Sequence, residues 1–173
     1  MIARNRVWEE LKQAKANIIC LQHYTDKGRK KLRRIDSAII ILASIGSFGG
    51  FYNKWIAIIL SGLVAIGAVL KTILPNVTQS EQELSELDRL MDFYSKYMNR
   101  IERLWYMYDN GNTTEDEMIH KLFEMKEEEC DKYSLINKGI RSISKKEQEK
   151  IDKECIEYIN RVYFLKSEID GKE

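Results

Sequence analysis

The feature that most constrains this chain is a long apolar stretch made of two blocks, residues 35–52 and 55–74. Between Asp36 and Lys71 the only charged side chain is Lys54, which lies at the break between the blocks. A helix needs about 20 mainly apolar residues to cross the ~30 Å hydrocarbon core of a bilayer. We therefore predict an all-α membrane protein with a two-helix transmembrane hairpin. The alternative is a buried hairpin within a soluble helical protein.

Basic residues are concentrated directly before the first apolar block. The whole chain has a net charge of +1, but its first 36 residues hold ten Lys or Arg and four Asp or Glu. Under the positive-inside rule this asymmetry predicts a multi-pass protein with both termini in the cytoplasm. A nucleic-acid site is the alternative interpretation, but the position beside an apolar block favours lipid headgroups, so we predict the bilayer as a partner and no nucleic acid. The candidate headgroup-contacting bases are Lys27, Arg29, Lys30, Lys31, Arg33 and Arg34.

Targeting and redox signals agree with this location. The first apolar block begins too late for a signal peptide, and a second block follows it, so we expect no cleaved leader. The three cysteines, Cys20, Cys130 and Cys155, are odd in number and widely spaced. This pattern argues against a disulfide framework and suits a reducing compartment.

The polar remainder of the chain is predicted to be helical because apolar residues recur there at steps of three and four. Residues 5–24 form a first amphipathic helix, and residues 25–28 are predicted to be a turn or a loosened joint. After Pro75, a capping box at Ser80 and Glu83 begins a helix over 81–108. Its heptad seam is a candidate coiled-coil assembly surface on the cytoplasmic side. The seam residues are Leu84, Leu87, Met91, Tyr94, Met98, Ile101, Trp105 and Tyr108.

Two further helices follow in the C-terminal part. Residues 109–112 are predicted to be a turn, and capping boxes at Thr114 and Ser144 begin the helices after it. The stretch 133–143 is expected to be irregular, and the last helix covers 145–168. The apolar residues form a stripe along one side of each long helix, and the helices can bury one another's apolar stripes in an antiparallel bundle. The predicted organisation is a cytoplasmic helix with its basic lead-in, a transmembrane hairpin and a cytoplasmic helical domain, at 1–34, 35–75 and 76–173.

Small side chains occur at helical spacing within both apolar blocks. In lipid, small residues let helix backbones approach closely and so supply helix packing. These positions are therefore candidates for pore-lining or helix packing, although such spacing is also ordinary for membrane helices. They are Ser44, Gly46, Ser47, Gly50, Ala57, Ser61 and Ala65.

Catalytic and ligand-binding motifs are not recognisable in the sequence. The glycines of residues 46–50 match neither a Walker A loop nor a dinucleotide fingerprint. His23 and His120 have no ligand partner at metal-binding spacing. The run Glu127–Glu129 is predicted to be a solvated helix face. We expect no enzyme activity, no catalytic or metal site and no cofactor.

The layout resembles the SLATT domain family, the SMODS and SLOG-associating two-transmembrane effectors. The likeness consists of a first helix from Trp8 to Tyr24, an apolar hairpin from Ala38 to Leu74 and a helical tail from Leu84 to about Leu165. The resemblance implies a membrane effector of a bacterial antiphage defence system. It would act as a homo-oligomer that forms a pore or disrupts the inner membrane, next to a nucleotide second-messenger synthase or sensor protein.

Two functional hypotheses follow. The first is this pore-forming effector. The second is a membrane-anchored helical scaffold or adaptor, whose tail recruits a cytoplasmic partner without permeabilising the membrane. The scaffold uses the same helices but needs no permeability.

Overall fold

The structure is a computed structural model in which nearly every described residue is helical. It describes residues 2–49, 55, 58–59, 61–67, 69, 80–140 and 143–164. Its helices are α1 (Ile2–Gly49), α2 (Glu81–Asp109), α3 (Glu115–Gly139) and α4 (Lys145–Ile159), and α4 leads into a π-helical turn at Asn160–Phe164. Residues 55, 58–59, 61–67 and 69 are also helical.

The chain divides into two compact units. The first unit consists of Met1–Tyr24 together with Leu87–Glu173, and the second unit is Thr25–Glu86. The first unit contains a helical bundle, to which all four helices contribute. The second unit includes the apolar stretch at residues 35–74.

The bundle core is built from the stripes that the helical period predicts. Every predicted stripe position of the first helix is buried: Val7, Leu11, Ala14, Ile18 and Leu21. The same cluster contains residues from α2, α3 and α4, among them Tyr94, Met118 and Ile151. Helical amphipathicity therefore accounts for the all-α bundle.

Helix α1 has no turn at residues 25–28, where a turn or a loosened joint was predicted. It continues without interruption from Ile2 to Gly49, and Thr25 is buried rather than exposed in a turn. The physical reason is that this segment contains no proline, while a single glycine costs a helix interior only about 1 kcal/mol. The bundle segment and the basic lead-in are thus parts of one helix.

The predicted transmembrane hairpin is contradicted. Among the residues that the structure describes, no helix is both long enough and apolar enough to span a bilayer. In α1 the uncharged part begins only at Ser37, and from there to Gly49 the helix is about 20 Å long, shorter than the ~30 Å hydrocarbon core. The membrane fold class, the multi-pass inner-membrane location and the pore were inferred from that hairpin and are wrong with it.

Local capping chemistry sets the starts of the later helices as predicted, while the predicted end of the last helix at residue 168 lies outside the described residues. Ser80 and Glu83 exchange hydrogen bonds at the start of α2, and the pairs led by Thr114 and Ser144 do the same for α3 and α4. The turn after α2 is also confirmed, with Gly111 at a φ of 70°, a left-handed conformation that favours glycine. The irregular stretch predicted from residue 133 is wrong over its first half, because α3 continues to Gly139.

The cap of α3 gives a direct test of this fold. Replacing Thr114 by Ala removes the hydroxyl that accepts the Glu117 N–H, so the free energy of unfolding should fall by about 1 kcal/mol. Thr114→Ser retains an accepting hydroxyl and serves as the matched control. Urea unfolding followed by circular dichroism measures both. Equal losses in the two variants would contradict the capping role.

Candidate functional site

The second unit carries a large exposed apolar surface, which we call the apolar face. All of its large side chains are more than two-fifths exposed, and Trp55 reaches 74%. Between residues 55 and 70 the sequence contains no charged side chain. Large exposed apolar patches mark sites that bind proteins, membranes or ligands. The apolar face consists of Trp55, Ile58, Ile59, Leu63, Ile66 and Val69.

Helical spacing places these six residues on one side of their segment. At 100° per residue they lie within an arc of ~140°. The other side packs within the same unit, where a Cβ added at Gly67 would meet Ile39 of α1 at 3.6 Å. On the exposed side, a Cβ added at Gly62 would meet nothing within 4 Å. The apolar face is therefore open where Gly62 lies.

A second surface, the basic band, lies on α1 in the same unit. All six candidate headgroup-contacting bases, from Lys27 to Arg34, are exposed. Farther along the same helix, Ile40 and Ile41 are exposed at 64% and 57%. The contact of these bases with headgroups stays a prediction.

The small-residue candidates fall at several places. Ser44 is exposed on α1 and donates its hydroxyl hydrogen to the carbonyl oxygen of Ile40 at 2.8 Å. Ser61 and Ala65 are exposed and helical beside the apolar face. Gly46 and Ser47 belong to α1. Gly50 and Ala57 lie outside the described residues.

The heptad seam of α2 is used within the chain. Five of its residues are buried, and the other three are partly buried against the bundle core. Trp105, for example, packs on Trp8 of α1 with 5.3 Å between ring centroids. The α2 stripe is also wider than the predicted seam, because Leu90, Tyr97 and Leu104 are buried as well. The chain's own helices therefore cover the predicted assembly seam.

A polar cluster inside the bundle was not predicted from the sequence. The carboxylate of Glu10, on α1, is buried and accepts hydrogen bonds from the Tyr97 hydroxyl of α2 and the Lys126 ammonium of α3. Nearby, the Tyr94 hydroxyl donates to Glu129 at 2.9 Å. Burial raises the pKa of both tyrosines, and their carboxylate partners add to this effect. Paired in this way, the buried carboxylates tie three helices together.

Glu129 corrects the prediction that the whole acidic run is a solvated face. Glu127 and Glu128 are exposed, but Glu129 is only 8% exposed. Burial raises the pKa of the Glu129 carboxyl, and the neighbouring Glu10 carboxylate raises it further. A sequence signal was present, because Glu129 continues the three-and-four spacing of the α3 stripe that ends at Met125.

Beside Glu10, a shallow groove of about 490 Å³ opens between α1 and α3. The guanidinium of Arg6 lies 5.7 Å from the ring centre of Phe123, which is half exposed. Two bases and two acids line the groove, so its formal charge is balanced. Its lining residues are Asn5, Arg6, Glu9, Glu10, Leu122, Phe123 and Lys126.

The histidines take different positions. His23 Nε2 lies 2.6 Å from a Glu154 oxygen and links α1 to α4, and this contact lowers the pKa of the Glu154 carboxyl. His120 is exposed beside Glu124. Within the described part of the chain, no cluster of three His, Cys, Asp or Glu side chains could hold a metal ion.

Comparisons with protein-family models, with curated proteins and with solved structures find no match for this chain. The likeness to the SLATT domains therefore stays a prediction from layout.

The buried carboxyl of Glu129 generates a pH-dependent prediction. Because its folded-state pKa is raised, its stabilising contribution is complete below the unfolded-state pKa and is lost as the pH rises through the folded-state pKa. Glu129→Gln keeps an oxygen that accepts the Tyr94 hydrogen bond but cannot ionise. Its stability relative to the wild type should therefore increase between pH 4 and pH 8.

Urea unfolding at several pH values measures this difference. The control is Glu127→Gln, which removes the same charge from the exposed side of α3. An equal pH trend in both variants would assign the effect to net charge rather than to burial, and would contradict the prediction.

Proposed function

We propose that this protein is a self-associating helical scaffold, in which copies of the chain meet through their apolar faces. The supporting observation is the exposed, charge-free surface formed by Trp55 and the five aliphatic residues that follow it at helical spacing. Removal of such side chains from water stabilises an association by ~25 cal/mol for each Å² of apolar area buried. No catalytic role is assigned to any residue.

A second copy of the chain is the occupant that fits this surface. A face without charges needs a partner face without charges, because an unpaired charge buried against it would lose its hydration. The apolar face itself has the required chemistry. Two copies related by a two-fold axis would place the same residues on both sides of the interface.

The open position at Gly62 supports close approach of two such faces. A glycine between larger side chains lets an opposing helix come near, or admits a side chain from it. Ile58 and Ile66 flank this position at spacings of four residues, and both are exposed. The face therefore has both the apolar side chains and the shape for self-packing.

A scaffold also needs a surface that binds partner proteins, and the helical bundle of the first unit is the candidate for it. Its seam residues are buried, so the bundle would offer its outer surface to partner proteins. This corresponds to the scaffold hypothesis of the sequence analysis without its membrane anchor. The role in bacterial defence and the second-messenger synthase or sensor as partner stay predictions of the family resemblance.

Oligomeric state tests the proposal. In sedimentation velocity at about 10–50 µM, the wild-type chain should sediment as a dimer or larger species. Ile59→Glu places a charge in the centre of the apolar face and should weaken association by at least about 100-fold. Gly62→Glu should act in the same way, at a position where an added Cβ meets nothing within 4 Å.

The matched control is Ile156→Glu on α4. Ile156 is 60% exposed and Ile59 is 63% exposed, so the two substitutions are equivalent except for their surfaces. The control should remain associated. A monomeric wild-type chain, or equal dissociation of all three variants, would overturn the proposal. So would a chain that stays monomeric in buffer and binds neutral phosphatidylcholine vesicles, because lipid would then cover the apolar face.

A further inference from the structure

We propose that the basic band of α1 docks on the surface of an anionic lipid bilayer as a peripheral contact. This contact goes beyond self-association, because it uses a different surface of the second unit. Three properties of α1 between Asp26 and Ser44 support this contact: the density of its bases, their distribution around the helix, and the exposed isoleucines that follow them.

Charge density is the first property. Between residues 26 and 36 there are six bases and two acids, a net charge of +4 within about three turns of helix. All six bases are exposed. A basic residue near an anionic membrane surface contributes a favourable interaction that falls off within a Debye length. A segment with this charge therefore selects an anionic partner.

The second property is the distribution of the bases around α1. At 100° per residue they cover more than half of the helix circumference. The opposite side holds Gly28, Leu32, Ile35 and Ile39, which are all partly buried. Long Lys and Arg side chains on such an arc can bend towards one plane of headgroups while their stems stay on the helix.

The third property decides between lipid and nucleic acid. Ile40 and Ile41 are exposed and follow Arg34 by about 9 Å along the helix axis. Apolar side chains at an interfacial helix enter the headgroup and acyl boundary by ~5–10 Å. The phosphate backbone of a nucleic acid has no apolar region in which an isoleucine side chain could be buried. The order of basic and then apolar positions thus fits a lipid surface.

Ser44 is compatible with this placement. Its hydroxyl donates to the Ile40 carbonyl oxygen within the same helix, so this hydroxyl hydrogen, three residues after Ile41, needs no water. This lowers the cost of bringing the segment to the acyl boundary.

Vesicle co-sedimentation of the full chain tests the proposal. Wild type should bind vesicles of phosphatidylcholine with about one-third phosphatidylglycerol, bind neutral vesicles much less, and dissociate at high salt. The triple variant Lys30→Gln, Lys31→Gln, Arg34→Gln should lose about 100-fold in partition coefficient, given what each base contributes near an anionic surface. The control variant removes three exposed bases elsewhere: Lys121→Gln, Lys145→Gln and Lys146→Gln.

A second pair of measurements separates lipid from nucleic acid. Ile40→Ser combined with Ile41→Ser should weaken vesicle binding by about 10-fold and leave binding to a short DNA duplex unchanged. The triple variant of the basic band is called the band variant. Equal vesicle binding by the wild type, the band variant and the control would overturn the proposal. Tighter binding of the wild type to the duplex than to the anionic vesicles would also overturn it.

The band variant also keeps the two proposals apart. In buffer without lipid it should have the same sedimentation coefficient as the wild type, because the apolar face is intact. Loss of vesicle binding with retained self-association supports the basic band as the lipid site. Loss of both would show that vesicle binding depends on assembly rather than on these bases, and would contradict the assignment.

Discussion

The buried carboxylate of Glu10 is the interaction on which the arrangement of the bundle depends. A charge in an apolar core is costly unless it is paired and hydrogen-bonded. Glu10 meets this condition only when α1, α2 and α3 are in register, because Tyr97 and Lys126 belong to the other two helices. Apolar stripes alone tolerate shifts along the helix axis, so we attribute the register of the bundle to this carboxylate.

The same cluster explains why the α2 seam is internal. Tyr94 is a seam residue, and its hydroxyl is held by Glu129 of the same chain. A second copy could replace the apolar contacts of the seam, but it would also have to satisfy this hydroxyl and carboxylate. The proposed contact between copies uses the second unit instead, where the exposed residues from Trp55 to Val69 include no charged side chain.

The sequence was sufficient for features that depend on a few neighbouring residues. The capping boxes at Ser80, Thr114 and Ser144 are reciprocal hydrogen bonds over three residues, so their signatures locate helix starts without knowledge of the tertiary fold. The spacing of apolar residues likewise predicts which side of each helix is buried. Both the helix starts and the buried sides can therefore be predicted from local sequence, without the tertiary fold.

Features that depend on what lies next to a segment were not predictable in this way. The apolar run after Ser37 has the composition of a membrane helix, but window hydropathy does not reveal that it is the end of a helix that starts at Ile2. Glu129 has the composition of a surface residue, but its position in the α3 stripe places it beside Tyr94. In both cases the period and continuity of the helix prevailed over residue type. Burial of an acid in that stripe became possible because a tyrosine hydroxyl faced it.

The two proposed surfaces reinforce each other through multivalency. A single band of six bases binds an anionic surface reversibly, as one weak electrostatic contact. When copies associate through their apolar faces, each assembly carries several bands, and binding of the second becomes intramolecular once the first is bound. Linking two sites in this way can raise the overall affinity by about 10²–10⁴ without any new contact, provided that both reach the surface together. Assembly would then control whether the scaffold stays at the lipid surface, and neither the basic band nor the apolar face has to change its own structure.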